Sequence, residues 1–312
     1  MKKSTMNKVL ISLILFFILS LITPALLFSG EMIIKSDDQF HFARQYMTKG
    51  EYSRAIGEFD RFIYFFPDDK KVPEVRYLIG VCYLKEKIYE KAREVFTEVS
   101  REYSGTNLAE KAILLTGESY YRQGLPKEAE TYFKKIVADY PVSELTEEAL
   151  YRLGWIGLKT YRWQEASRVF SSIESSSPLY IHSLDLAQRA LRGEDLPYKD
   201  PKVAGLMAGT VPGLGHVYCH RYRDGMVALL LNGLFIWAAS EAFEEDQDVL
   251  GGILCFLEAG WYAGNIYSAV NSAHKFNRKK RENFIRGLPD NFNLDLFASK
   301  GNRVGLALKI TF

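Results

Sequence analysis

The sequence predicts an all-α protein: a helical-hairpin solenoid, then a small transmembrane helical region and a short β-hairpin tail. Three observations lead to this prediction: a 37-residue repeat in the first half, three apolar segments in the second half and an alternating pattern at the C-terminus. A fixed period over several copies indicates a solenoid, because each unit buries its apolar face only against its neighbours.

Five columns of residues recur at the 37-residue spacing. A small residue three positions before an aromatic residue lies on the same helix face and lets the next helix approach closely. An alanine, a phenylalanine four residues later and an apolar residue three further on form the inner face of a second helix, which a proline then ends. The columns are Ala43, Gly80, Gly117 and Gly154; Tyr46, Tyr83 and Tyr120; Ala55, Ala92, Ala129 and Ala166; Phe59, Phe96, Phe133 and Phe170; and Pro67, Pro141 and Pro178.

These columns resemble the tetratricopeptide repeat family, whose pattern the third copy follows with Gly117, Tyr120, Ala129, Phe133 and Pro141. The resemblance covers residues 36–178. The three additional residues per repeat are similar to the long repeats of bacterial envelope proteins, such as the lipoprotein of the β-barrel assembly machinery and the periplasmic partner of the Tol system. The resemblance implies the fold and leaves the ligand open, since the repeat motif is structural.

Residues 1–30 are typical of a secretory signal peptide or an N-terminal membrane anchor. Three lysines precede an apolar run from Val9 to Phe28. A secretory apolar region needs 7–15 residues and a spanning helix about 20, so both alternatives stay open. No cysteine follows the run, which argues against lipid attachment. Both alternatives export the repeats.

Three apolar segments follow Pro201, namely Val203–Cys219, Gly225–Phe243 and Val249–Val270, and each approaches the length of a membrane helix. Acidic residues lie between the second and third segments and basic residues follow the third, so we expect a hairpin with its acidic tip outside and the segment Lys275–Arg281 in the cytoplasm. Val203–Cys219 then carries the chain inward, although its proline and glycines also allow a re-entrant or tilted element.

A local motif begins in the first apolar segment and ends at the start of the second. Its residues are Pro212, Gly213, Gly215, His216, Tyr218 and Gly225. The motif resembles the signature that opens the small two-transmembrane-helix domain family. The resemblance is partial, because Val217, Cys219 and Arg221 depart from the family pattern. It implies a tight helix hairpin and no enzymatic activity.

The C-terminal tail, Phe292 to Phe312, alternates apolar and polar residues around a turn at Lys300–Asn302, which predicts a β-hairpin. The predicted organisation is therefore a signal or anchor at 1–30, four repeats at 31–180, a linker at 181–200, a transmembrane region at 201–275 and a basic segment with the hairpin tail at 276–312.

Composition and motifs give little support to an enzyme. The net charge of +2 indicates no general attraction to nucleic acid. His216, Cys219 and His220 are too few for a zinc site, and we expect no metal and no cofactor. Glu258 stands out inside an apolar segment, where a charged carboxylate is costly. It is either functional, or protonated, or paired with Asn232 or Asn265.

The favoured function is a membrane-anchored scaffold that binds a protein or peptide partner in the bacterial cell envelope, with membrane lipid as a second partner and no nucleic acid. We expect an inner-membrane protein with its repeats in the periplasm or otherwise outside the cytoplasm. The alternative is a subunit of a transport or envelope-assembly complex whose transmembrane region is the active part.

The binding groove is expected on the outward face of each first helix, on the concave repeat surface. Aromatic and arginine side chains on an exposed groove are typical anchors, although some of them could instead pack between repeats. The predicted groove residues are Phe40, Arg44, Tyr77, Glu118, Tyr121, Tyr151 and Trp155.

Overall fold

The computed structural model describes residues 11–18, 34–289, 292–295 and 307–310. By their contacts, the residues divide into one compact unit that ends at Ile88 and a second that begins at Tyr89. In the first unit the helices are α1 (residues 11–18), α2 (Ser36–Thr48), α3 (Tyr52–Phe65) and α4 (Val72–Lys85). The rest of the predicted signal or anchor segment lies outside the described residues.

The second unit continues the repeats and adds the apolar half. Its helices are α5 (Tyr89–Glu102), α6 (Asn107–Gln123), α7 (Pro126–Asp139), α8 (Thr146–Lys159), α9 (Trp163–Ser171), α10 (Tyr180–Leu191), α11 (Pro201–Thr210), α12 (Leu214–Tyr218), α13 (Tyr222–Glu244) and α14 (Asp248–Arg286). Two short strands follow, β1 (Phe292–Asp295) and β2 (Ala307–Ile310).

The predicted helical hairpins are confirmed. The alanine and phenylalanine columns are buried in all four copies, with at most 1% of any side chain exposed. The glycine column is explained by close approach: a Cβ atom on Gly117 would lie 2.9 Å from the Phe133 ring, and one on Gly154 would lie 2.5 Å from the Phe170 ring. The small residue therefore makes room for the phenylalanine of its own hairpin.

Helices α13 and α14 pack side by side as an antiparallel hairpin. By length and composition, both could cross a membrane. Their facing sides include small residues, such as Ala228 and Ala239 on α13 and Gly251 on α14. Small residues at a helix interface allow backbones to approach closely in lipid. The turn between the helices carries the acidic residues that the sequence places at the hairpin tip.

The segment 203–219 forms two short helices, α11 and α12, instead of one long helix. The amide of Asp200, just before the segment, donates a hydrogen bond to the Tyr218 hydroxyl near its end, 3.1 Å away. The segment is therefore folded back on itself, and the positive φ of Gly213 allows the turn between the two helices. This path agrees with the re-entrant alternative that the proline and glycines of the segment indicate.

The path of the hairpin brings the fourth repeat and the basic end of α14 together. Helix α13 leads away from the folded-back segment and α14 returns to it, so the fourth repeat and the basic end of α14 lie at the same end of the hairpin. In a hairpin that crosses a bilayer, exported repeats would place Lys275–Arg281 outside the cytoplasm, whereas the sequence analysis expects exported repeats and a cytoplasmic basic segment.

The two tail strands pair in antiparallel register, with Phe292 opposite Ile310 and Leu294 opposite Leu308. The residues that would join them, 296–306, lie outside the described residues. The hairpin itself therefore stays a prediction.

Candidate functional site

Most of the predicted groove aromatics are buried. Phe40, Tyr77, Tyr151 and Trp155 each expose at most 3% of their surface. The Phe40 ring packs against those of Phe59 and Phe62, with centroids 6.3 and 6.1 Å apart. The expectation that these four side chains are exposed anchors is therefore wrong: the face of the first helix on which they lie is covered.

Tyr151 shows what covers that face in the last repeat. Its ring lies 5.6 Å from Phe170 within the same hairpin and 6.0 Å from His182 on α10, the helix that follows the repeats. The final helix thus occupies the surface that a fifth repeat would cover. Periodicity places Tyr151 correctly on the helix and gives no information about this cover.

Two predicted groove residues, Arg44 and Tyr121, remain partly accessible. The guanidinium of Arg44 lies 5.7 Å from the Phe40 ring, within the range of a cation–π interaction. Tyr121 lies close to two cations, with the Lys159 ammonium 4.0 Å from its ring centroid and the Arg152 guanidinium 5.2 Å away. Both contacts are within the range of a cation–π interaction.

Glu118 is the centre of a buried ion network rather than an exposed groove residue. Its carboxylate is 2.6 Å from the Arg122 side chain on the same helix and 2.9 Å from the side chain of Arg152 on α8. Both Glu118 and Arg152 are almost fully buried. A buried carboxylate needs such partners, because desolvation of an isolated charge is expensive. The i, i+4 spacing of Glu118 and Arg122 was readable in the sequence; the contribution of Arg152, one repeat later, was not.

Glu148, which sequence reasoning missed, lies beside this network. Burial raises the pKa of its carboxyl group to about 8, although nearby Arg152 lowers it; Glu118 raises it further. The carboxyl group is therefore mostly protonated at neutral pH, and one of its oxygens has no hydrogen-bond partner among the described residues. The result is an excess of positive charge around Tyr121.

We call Tyr121, Arg122 and Lys159 the cationic patch. Lys159 is exposed, and about a third of the Arg122 side chain is accessible. Arg152 and Glu118 lie beneath the patch and fix two of its three members. The patch combines an aromatic ring with accessible cations on a firmly packed base, and such a surface suits a carboxylate-bearing ligand.

The membrane motif holds α12 between its neighbours. A Cβ atom on Gly215 would clash with the Ala204 carbonyl of α11, and one on Gly225 would lie 2.8 Å from the Gly213 carbonyl. The imidazole of buried His216 lies 3.0 Å from the Ser268 hydroxyl of α14. With Pro212 and Tyr218, these residues form the connection between α11 and α13, where the backbones pack closely.

Three polar side chains lie buried inside the α13–α14 hairpin: Asn232, Glu258 and Asn265. Asn232 donates to its own helix at Ala228, 2.6 Å away. Neither Glu258 oxygen and neither amide atom of Asn265 has a hydrogen-bond partner among the described residues. The pairing of Glu258 with Asn232 or Asn265 that the sequence suggested is therefore not observed.

The basic end of α14 packs against the last repeat. Phe284 meets Trp163 edge to face with centroids 5.6 Å apart, and the Arg281 guanidinium lies 4.8 Å from the Tyr161 ring. The linker is fixed as well, because the Asn277 side chain makes two hydrogen bonds, of 2.8 and 2.7 Å, to the backbone of Lys199. The fourth repeat and the hairpin thus form one packed body.

A known family matches the repeat half of the chain. Residues 33–156 match the family described as YfiO, outer membrane lipoprotein. This range covers the first three repeats and the start of the fourth, and it agrees with the long envelope-type repeat predicted from the spacing. No curated protein matches the chain.

Several solved structures are similar to this chain at low identity. The crystal structure of a putative kinesin light chain from Podosopora anserina, with nearly identical TPR-like repeats, has 14% identity and a TM-score of 0.42, covering 51% of this chain and 86% of that one. A tetratricopeptide repeat protein from Parabacteroides merdae has 12% identity and a TM-score of 0.42, covering 80% and 97%. The apo form of RapI has 15% identity and a TM-score of 0.39, covering 82% and 90%.

Proposed function

We propose that this tetratricopeptide repeat protein is a membrane-attached scaffold that binds an acidic segment of a partner protein at the cationic patch. The observation that carries the proposal is the position of Tyr121, which is partly exposed and has the cations of Lys159 and Arg152 within 4.0 and 5.2 Å of its ring centroid. Aromatic and arginine side chains dominate the energy of protein interfaces when they are fixed before the partner arrives.

The charges around the patch favour an acidic partner. Arg122, Arg152 and Lys159 supply three positive charges, against which Glu118 supplies one negative charge. Glu148 adds little negative charge near neutral pH, because its pKa is about 8. Aspartate or glutamate side chains, or a C-terminal carboxylate, complement this surface. Electrostatic complementarity of this kind contributes specificity and association rate more than affinity.

Membrane attachment is proposed through the α13–α14 hairpin, with the repeats outside the cytoplasm. Two long apolar helices support attachment. The basic start and apolar run of residues 1–30 support export, and the likeness to an envelope lipoprotein family agrees with it. In this orientation the acidic turn between α13 and α14 lies in the cytoplasm, and the basic end of α14 lies outside, against the usual charge bias.

We propose further that the tail forms a β-hairpin, supported by the antiparallel register of β1 and β2. Four-residue strands give such a hairpin little stability by themselves.

Site-specific photo-crosslinking in cells tests the scaffold proposal. A photoreactive residue at Lys159 is expected to give a discrete adduct with one partner protein, because this position is part of the patch. The matched control is Val142, which is 98% exposed and lies outside the patch. The adduct at position 159 should disappear when Arg122→Glu is added. Equal adducts from both positions, or an adduct unaffected by Arg122→Glu, would contradict binding at the patch.

A second function, in which the membrane region is the active part of a complex, is favoured by the unpartnered Glu258 and Asn265. Polar groups inside a membrane segment are expensive and often mark a pathway for a proton, an ion or a substrate. The two functions can be separated by complementing a strain that lacks this protein with single variants. The measured quantity is the permeability of the cell envelope to a dye. Loss of complementation with Glu258→Gln and full complementation with Arg122→Glu would favour the membrane function.

A further inference from the structure

A second cationic feature lies at the repeat-side end of the transmembrane hairpin. It is a pocket of about 580 Å³ formed where α12 meets α13 and by one face of α14. No aspartate or glutamate lines it. The lining residues that matter here are His220, Arg221, Lys275, Phe276, Lys279 and Lys280. We call this feature the basic pocket.

Several contacts hold the walls of the basic pocket in place. Arg221 donates a hydrogen bond to the Ser272 hydroxyl, 2.9 Å away, which joins the α12–α13 connection to α14. The Phe276 ring lies 5.8 Å from the His220 ring and 5.5 Å from the Lys280 ammonium. Two cationic side chains are therefore ordered before any ligand arrives, which lowers the entropic cost of binding.

The acidic groups near the basic pocket leave it with excess positive charge. Asp224 pairs with Arg221 at 2.6 Å, and Glu282 lies 3.7 Å from Arg278, which points elsewhere on α14. Asp224 offsets one of the four Lys and Arg charges in the lining. The charges of three lysines remain: Lys275, Lys279 and Lys280, which lie on one stretch of α14. The excess favours an anionic ligand.

The position of the basic pocket identifies the source of that ligand. The apolar stretch of α14 ends at Val270, and the pocket lysines begin five residues later, about 7–8 Å along the helix. Tyr222 and Tyr267 flank this level, and 61% and 73% of their surfaces are exposed. Exposed tyrosines are enriched at the boundary between lipid and water. The basic pocket therefore lies at the depth of lipid headgroups.

We propose that the basic pocket binds the phosphate headgroup of an anionic phospholipid from the surrounding bilayer. Basic pockets between transmembrane helices are suited to lipid phosphates, since lysine and arginine supply both charge and hydrogen-bond donors. The acyl chains lie along the apolar surface of the hairpin below. The proposal does not depend on the cationic patch of the repeats, nor on which leaflet faces the repeats.

Native mass spectrometry of the full-length chain in detergent tests the proposal, with phosphatidylglycerol and phosphatidylcholine as the probes. The expected result is that phosphatidylglycerol is retained at least about tenfold better than phosphatidylcholine. The triple variant Lys275→Gln/Lys279→Gln/Lys280→Gln should lose most of this preference. Replacement of the same three lysines by arginine should retain it. Retention of the preference in the glutamine variant, or its loss in the arginine variant, would overturn the proposal.

A matched control separates the pocket from general charge. The variant Lys127→Gln/Lys135→Gln/Arg278→Gln removes the same charge from outside the pocket, including one residue of α14, and should bind phosphatidylglycerol within about twofold of the wild type. An equal loss in this control would overturn the proposal. Displacement of the lipid by millimolar inorganic phosphate, or preferential displacement by an acidic peptide, would assign the pocket to a soluble anion and also overturn it.

Discussion

The repeats and the α13–α14 hairpin both bury a glutamate, and the surroundings of the two glutamates differ. In the repeats, Glu118 has Arg122 at 2.6 Å and Arg152 at 2.9 Å. In the hairpin, Glu258 has no hydrogen-bond partner among the described residues. A carboxylate with two cations can stay charged in a protein interior, whereas a carboxyl group without any must be neutral or be completed by another molecule. The charge of Glu118 is therefore compensated within the fold, whereas a charge on Glu258 would not be.

The largest expected effect concerns which parts of the chain share a side of the membrane. Reporter fusions at Asp195 and Asn283 should report the same side, and a fusion at Gln247 the opposite side, because the segment 203–219 folds back on itself. Enzymatic reporters that are active on only one side of the membrane provide the measurement. Opposite results at Asp195 and Asn283 would show that 203–219 spans after all.

Removing a partner should affect the two glutamates unequally. Arg152→Ala leaves Glu118 buried with one cation, and we expect a loss of about 3–5 kcal/mol of unfolding free energy. Glu258→Gln removes no observed partner, and we expect a change within about 1 kcal/mol. Urea unfolding followed by circular dichroism measures the first, and unfolding in mixed detergent micelles measures the second. Similar losses at both positions would remove the contrast between the two regions.

Glu148 makes the stability of the repeats depend on pH. Its folded-state pKa of about 8 lies above the ordinary value of 4.5, so the folded protein binds the proton more tightly than the unfolded chain. Stability should therefore fall as pH rises from about 4.5 to 8, by up to about 1.4 kcal/mol per pH unit. Glu148→Gln should flatten this slope. Urea midpoints between pH 5 and 8 provide the measurement, and identical slopes in both proteins would contradict a neutral buried carboxyl group.

The smallest expected effect lies in the turns inside the repeats. Gly50, Lys87, Gly124 and Tyr161 occupy the same repeat position and all have φ between +62° and +83°. A side chain is disfavoured in this region, whereas glycine is not. Lys87→Gly should stabilise the protein by about 0.5–1 kcal/mol, measured by urea unfolding. Gly124→Ala is the opposing change and should destabilise it.

The repeats were predictable because each column has the same neighbours in every copy. Phe133 is buried for the same reason as Phe59, so periodicity alone identifies both. The groove was not predictable to the same extent. Spacing places Tyr151 and Trp155 on the correct face, but the cover supplied by His182 of α10 comes from outside the repeat pattern.

In the apolar half, the helix hairpin was predictable from the sequence, whereas the path of the segment 203–219 that precedes it was not. Long apolar segments with sorted charges indicate α13 and α14 directly. The segment 203–219 has the composition of a spanning helix, and only the contact of Asp200 with Tyr218 shows that it returns. Glu148 gave no signal at all, because the pKa shift comes from three-dimensional burial, and the adjacent Glu147 is partly exposed.

Helix α14 has a mechanical consequence. From Val270, where its apolar stretch ends, to Arg286 it rises roughly 24 Å. Trp163 and Tyr161 of the fourth repeat rest against this projection, and Asn277 clamps the linker to it. The helix therefore acts as a rigid post rather than a tether. A partner held on the last repeats would stand at a fixed distance from the α13–α14 hairpin, and any pull on it would be transmitted to these two helices.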